Sequence, residues 1–528
     1  MYRVIPTGRS NIIARNGMVA SSQPLATQAG LEIIRKGGNA IDAAVATAAV
    51  LDVVEPFSTG CGGDAFALIH LSGKSSPLSY NGSGHSGSLA SIEDLLDLGW
   101  TSIPMRGGPP VTVPGALHLW YHIIEKHGVL EMKDILNPAI HYARNGFPVS
   151  PFIAQTWRGI LGNLRNDAAR EIYAPNGEAP KIGQTMKNQD LANTFERVVE
   201  EGPPAFYSGK IAESIIDTVQ KNGGFLTMED LAAHKTIETT PISVSYRGVD
   251  VFEHPPNGQG FAALSMLNIM ETFDLAKLSP LSAERYHLMI EAKKLAYADL
   301  HQHNADPEFY LIPLQKLLSK SYAQERAKTI DKSNAMSIYA PGLILGHDTV
   351  YLATADGAGN AVSFINSLYM SMGSGLVAPG TGIKLQNRGH LFSLDPEHPN
   401  CYAPRKLPFH TIIPGALYRD KNLMGMFGIM GGAHQAQAHG QFVSNVVDYG
   451  MYPQEALDFP RFNHEHTTNK VAFENGIPPQ VQNELRNLGH VLLHETTSTF
   501  GGGQAILRLN DVWIAGSDHR KDGQAAGF

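Results

Sequence analysis

A threonine hydroxyl is a poor nucleophile at neutral pH and needs a base beside it. Thr349 stands in the run Leu345-Gly346-His347-Asp348-Thr349-Val350-Tyr351, just before a strand-like segment. If the Asp348–Thr349 bond were cut, the new α-amine of Thr349 could take the hydroxyl proton, because such amines have a pKa of about 7.7–8.0. Taken alone, a threonine is more often a surface or strand residue. A second run, Gly428-Ile429-Met430-Gly431-Gly432-Ala433-His434, sets two glycines side by side. Adjacent backbone N–H groups can hold the oxyanion of an acyl-transfer intermediate, and the same pair can also be a plain turn. His434 and His439, and likewise His464 and His466, lack the carboxylate and cysteine companions of a metal site, so no metal and no cofactor are expected.

These residues need elements to hold them. Residues 350–355 and 361–364 are apolar or β-branched runs around Asp356-Gly357-Ala358-Gly359-Asn360, which is a hairpin signal. Further strands are expected at 411–417, 423–429 and 504–509, and one at 65–72. Helices are expected over 27–54, broken at Gly37-Gly38 with Asn39 as a new N-cap, and over 116–127, 135–145 and 283–306. The last of these reads as amphipathic, with polar faces between Tyr286, Met289, Ile290, Leu295 and Leu300. Helices thus dominate the first two thirds and strands the last third. Sandwiched sheets with helices outside satisfy both.

The chain has 528 residues, a net charge of −8 and no long basic run, which argues against nucleic acid or an anionic membrane as partner. No apolar stretch is long enough to span a bilayer, and the first 25 residues lack the basic and apolar regions of a secretory signal, so a cytoplasmic location is expected. Cys61 and Cys401 are expected as free thiols.

The run from Gly37-Gly38-Asn39-Ala40 through Gly60-Cys61-Gly62-Gly63-Asp64-Ala65-Phe66 is joined by Val113-Pro114-Gly115, Ala143-Arg144-Asn145-Gly146-Phe147, Ala205-Phe206-Tyr207-Ser208-Gly209 and the tail Gly516-Ser517-Asp518-His519. With Thr349 and its Asp356, Gly359-Asn360-Ala361-Val362 continuation, these residues resemble the gamma-glutamyltransferase family over nearly the full chain. The resemblance implies a four-layer αββα sandwich of the N-terminal-nucleophile hydrolase type. It implies autocatalytic cleavage between Asp348 and Thr349, leaving a large subunit, residues 1–348, and a small one, residues 349–528, that together make one globular domain. The pair would exist as one heterodimer or as a dimer of heterodimers. It further implies that Thr349 is the nucleophile, that Ser367 in Asn366-Ser367-Leu368-Tyr369 orients it, and that Gly431 and Gly432 hold the oxyanion.

The sequence departs from that family around the substrate. Where the family has an arginine, this chain has Tyr80-Asn81-Gly82; where it has an asparagine, Tyr369 stands. The acidic residue that binds the substrate ammonium is replaced within Gln386-Asn387-Arg388-Gly389-His390-Leu391, giving Leu391 and a new cation, Arg388. A serine pair becomes His410-Thr411. A zwitterionic glutamyl group would lose its ammonium partner and meet a cation, a mismatch worth several kcal/mol in a dry site. Arginine suits a carboxylate instead. The expected substrate is therefore a small-molecule carboxylate amide, oxamate-like or glutaryl-like, bound near Asn81, Tyr369, Asn387, Arg388, His410 and Thr411. The alternatives are a true gamma-glutamyltransferase or glutathione hydrolase, and an unprocessed binding protein without activity.

Overall fold

The computed structural model describes residues 8–337, 349–493 and 500–528. Two seven-stranded antiparallel sheets lie at its centre. The first runs in the order Gln524–Gly527, Gly17–Ser21, Val350–Asp356, Ala361–Ser367, Asp64–His70, Leu78–Gly82 and Ile237–Thr239. The second runs Ile12–Ala14, Val512–Ser517, Gly502–Leu509, Asn422–Met430, Gly415–Arg419, Val249–Glu253 and Ile242–Tyr246. Each sheet draws strands from both sides of residue 349.

Strand alternation sorts the side chains into layers. Tyr351, Ala353 and Ala355 of the Val350–Asp356 strand meet Tyr418, Met426, Met430, Ile506 and Trp513 of the other sheet in a buried cluster between the two sheets. Val350 and Leu352 point the other way, into a cluster shared with the helices Pro24–Arg35, Ala40–Val54 and Ala116–His127. The outer face of the second sheet, with Val251, Phe427 and Leu507, packs on the helices Gly260–Met270, Ala283–His303 and His434–Val447. The result is the four-layer αββα sandwich.

Local signals explain the helices nearest the site. Asn39 caps Ala40–Val54 by accepting from the amides of Ile41 and Asp42, and Asp42 returns a bond to the Asn39 amide. The same helix is tied to the central hairpin, because Thr354 donates to the Ala40 carbonyl and Asp356 accepts from the Ala40 amide. The expected amphipathic helix near 283–306 runs from Ala283 to His303 and is buried on almost every side. The neighbouring helix 434–447 and the segment 462–490 cover the face that spacing assigned to solvent. Its polar groups pair inside the protein: Arg285 donates to Asn445 Oδ1, Lys294 meets Glu291 at 2.7 Å, and Lys293 lies 2.9 Å from His464 Nδ1. Cys61 and Cys401 are unpaired. Among the described residues no helix is long and apolar enough to cross a membrane.

Candidate active site

Thr349 is only 1% exposed and immediately precedes the strand Val350–Asp356. The hairpin sets Val350 opposite Asn366, so Thr349 comes beside Ser367 at the end of the neighbouring strand. Their hydroxyl oxygens are 3.0 Å apart, and the Tyr369 amide donates to Ser367 Oγ at 2.8 Å. Tyr369 takes φ +75°, a left-handed conformation that turns the chain sharply after the strand. Asn387 fixes that turn: its Oδ1 accepts from the Met370 amide and its Nδ2 donates to the Met105 carbonyl. Asp348 lies outside the described residues.

The strand next to the hairpin, Asp64–His70, brings in a buried polar cluster. Ser367 pairs in register with Asp64, the first residue of a strand that is buried throughout. Asp64 Oδ2 lies 3.0 Å from His410 Nε2 and 3.5 Å from Arg388 Nε, while Asp64 Oδ1 accepts from the Gly84 amide. All three side chains are inaccessible to solvent. Burial raises the Asp64 carboxyl to about 7, although Arg388 and the Gly84 amide pull it down. Burial lowers Arg388 to about 10 against the attraction of Asp64. Burial, and then Arg388, hold His410 well below its usual value, so its ring is neutral.

Arg388 spans the site. Its Nη1 donates to Thr411 Oγ1 at 2.8 Å, its guanidinium lies 4.6 Å from the centre of the Tyr369 ring, its Nε faces Asp64, and its Nη2 makes no hydrogen bond. Gln386 accepts from the Arg388 amide and donates to Thr112, which pins the backbone on either side. Leu391 sits with Tyr369, Phe261, Phe409 and Ile413 in one apolar cluster. Asn81 is reached through Asn257: it donates to Asn257 Oδ1 and accepts from the Ser83 amide, while the Asn257 carbonyl accepts from the His410 amide.

The glycine pair closes the other side. The strand Asn422–Met430 ends at Gly431 and Gly432, with φ +134° and +57°, and the helix His434–Val447 begins just beyond them. Both torsions lie where a side chain is strained, and a Cβ on Gly431 would stand 3.2 Å from Gly501 Cα. The helix start adds positive potential at the pair. Gln259 fastens it to the rest of the site, because one Nε2 group donates to the carbonyls of Thr411 at 2.5 Å and Gly432 at 2.9 Å. The arrangement offers a buried hydroxyl next to a second hydroxyl, a glycine turn at a helix start, and a cation that keeps its Nη2 unused against an apolar wall.

Sequence reasoning missed Asp64 and Gln259. Asp64 lies in the Gly60–Phe66 run, whose residues carry the family resemblance. Gly62 and Gly63 there have no positive φ; their missing side chains admit the backbones of Lys384 and Ser367. The available signal was a lone acid opening an otherwise apolar strand. As for metals, two groups of described side chains lie close enough to share an ion: His287, Glu291 and His490, and Asp458, Asp518 and His519. In the first, Lys294 already neutralises Glu291; in the second, Arg461 and Arg520 hold Asp518. His439 spends both ring nitrogens, on Glu253 and on the Ile429 amide.

Comparison with known proteins agrees in length and shape. The gamma-glutamyltranspeptidase family model matches residues 26–528. The glutathione hydrolase-like YwrD proenzyme of Bacillus subtilis is 38% identical, over 98% of this chain and 99% of that one. The oxamate amidohydrolase proenzyme of Klebsiella pneumoniae is 33% identical, over 98% and 100%. The crystal structure of cephalosporin acylase from Bacillus halodurans matches with a TM-score of 0.94 at 42% identity, over 100% of this chain and 98% of that one.

Proposed function

This chain belongs to the gamma-glutamyltranspeptidase family of N-terminal-nucleophile amidohydrolases, and from that premise we propose that it cuts itself before Thr349 and hydrolyses small carboxylate amides. Cleavage leaves residues 1–348 and 349–528 as two subunits and frees the α-amine of Thr349. That amine accepts the hydroxyl proton as Thr349 Oγ1 attacks the substrate carbonyl. Ser367 orients the hydroxyl. The amides of Gly431 and Gly432, at the positive end of a helix, receive the oxyanion. The amine then protonates the leaving nitrogen, and water, activated by the same amine, releases the acid.

The observation that carries this reading is the buried Thr349 Oγ1 at 3.0 Å from Ser367 Oγ, at the head of a central strand. For the substrate, support comes from the unused Nη2 of Arg388 beside the apolar Leu391, Phe409 and Ile413. A carboxylate acid end without an α-ammonium suits that lining. Relatives named as oxamate amidohydrolase and cephalosporin acylase are compatible with it.

The test is a substrate comparison on processed protein, reading ammonia or free amine from oxamate, a glutaryl amide and glutathione. A higher kcat/KM for an acid amide without an α-amine supports the proposal. Efficient, stereoselective turnover of glutathione replaces it with a glutathione hydrolase, which the Bacillus subtilis relative is named as being like.

A further inference from the structure

We infer that Asp64 is an exchangeable counter-ion for Arg388, so that an anionic acyl donor binds together with one proton. The inference rests on the proposed acid-amide substrate and deepens it. Arg388 is the cation that such a donor would engage, yet it is not bare: Asp64 stands 3.5 Å from its Nε, with no solvent reaching either group. A second carboxylate brought to the same guanidinium meets the first, and two anions away from water repel strongly. The repulsion disappears when one of them takes up a proton.

The geometry makes Asp64 the acceptor. Its Oδ2 faces His410 Nε2 at 3.0 Å, and His410 Nδ1 makes no hydrogen bond. A neutral imidazole has one N–H and one bare nitrogen. With Asp64 ionised, His410 Nε2–H donates to it. With Asp64 protonated, its O–H donates to a bare Nε2 and the imidazole hydrogen moves to Nδ1. Both states keep the Asp64–His410 bond, so the proton changes the charge without dismantling the site. The proton comes from solvent with the donor and returns when the acid product leaves.

The surrounding groups leave Asp64 as the site of exchange. Arg388 remains a cation, its level lowered only to about 10. His410 and, behind it, His254, lowered to about 3, are held neutral by burial. The phenol of Tyr207, which feels the Asp64 charge, is pushed far above neutrality, again by burial. Cys61, on the turn leading to the strand, is likewise raised by burial. Asp64 itself, at about 7, has the proton within reach at working pH.

The experiment is calorimetric titration of processed protein with glutarate, an acid without an amide to hydrolyse, near pH 8, in buffers of different ionisation heat. About one proton taken up per ligand is expected, with none for a neutral amide such as acetamide. In kinetics, KM for the anionic donor is expected to rise roughly tenfold per pH unit above about 7, while kcat follows the α-amine. In Asp64→Asn the proton uptake and the rise in KM should vanish. Uptake of zero protons by the unmodified protein overturns the inference while leaving the acid-amide reading intact. Uptake of unchanged size in Asp64→Asn assigns the proton to another group and also overturns it. If Asp64→Asn does not fold, the titration of the unmodified protein decides. Failure of every anionic donor to bind or react overturns both readings.

Discussion

Replacing Ser367 with alanine removes one oxygen, and with it the 3.0 Å approach to Thr349 Oγ1 and the 2.8 Å bond from the Tyr369 amide. A buried neutral hydrogen bond contributes about 0.5–1.5 kcal/mol net, so the folded protein should lose about 1–3 kcal/mol. Only the Thr349 contact bears on the reaction, because it aims the attacking oxygen. Losing about 1.4 kcal/mol of that alignment slows the chemical step roughly tenfold. The loss should fall on kcat, since Ser367 faces the nucleophile and Arg388 carries the expected contact to the acid end. Self-cleavage should slow by a similar factor if, as proposed, the same hydroxyl performs it. The assay pairs steady-state kinetics on processed Ser367→Ala with the rate at which the 57.1 kDa chain splits on a denaturing gel. Ser367→Thr, which keeps a hydroxyl, should recover most of both rates. Unchanged kcat together with unchanged splitting refutes the orienting role; a rise in KM alone moves Ser367 to substrate binding.

Thr349→Ala should persist as one band of 57.1 kDa and show no turnover, whereas a variant that still splits refutes Thr349 as the cleaving group. Gly431→Ala forces a side chain onto φ +134° and toward Gly501, a strain of about 1–3 kcal/mol. Its displaced amide should reduce kcat by about 100-fold or more, measured beside a melting curve that shows the protein still folded. Gln259→Leu strips hydrogen bonds from the buried carbonyls of Thr411 and Gly432, so denaturant titration should show a loss of about 2–4 kcal/mol.

What the sequence disclosed depended on how locally the information was held. The central hairpin, the helix Ala116–His127 and the Asn39 cap are set by neighbours within a few residues, and they stand where spacing and capping chemistry put them. The helix Ala283–His303 shows the limit. Its polar residues read as a solvent face, yet they are partnered by chain far away, and only the assembled layers reveal it. Arg388 shows the same limit in the site. Residue type marked it as a cation for a carboxylate, but its resident carboxylate, Asp64, arrives from a strand at the other end of the chain. Asn81 and Asn387, both read as substrate contacts, spend their amides on Asn257, Ser83, Met370 and Met105. Such pairings follow from sheet order, which no short window of sequence contains.

That sheet order has a consequence for the life of the molecule. Before cleavage, refolding is a first-order event, independent of concentration, because every strand is tethered to every other. Cleavage before Thr349, as proposed, would leave each sheet assembled from two molecules, with a complete sheet in neither piece. Refolding would then be a second-order encounter between two fragments that each expose apolar strand edges while they wait. Heat or denaturant should therefore be reversible for the Thr349→Ala precursor at dilutions where the processed enzyme aggregates.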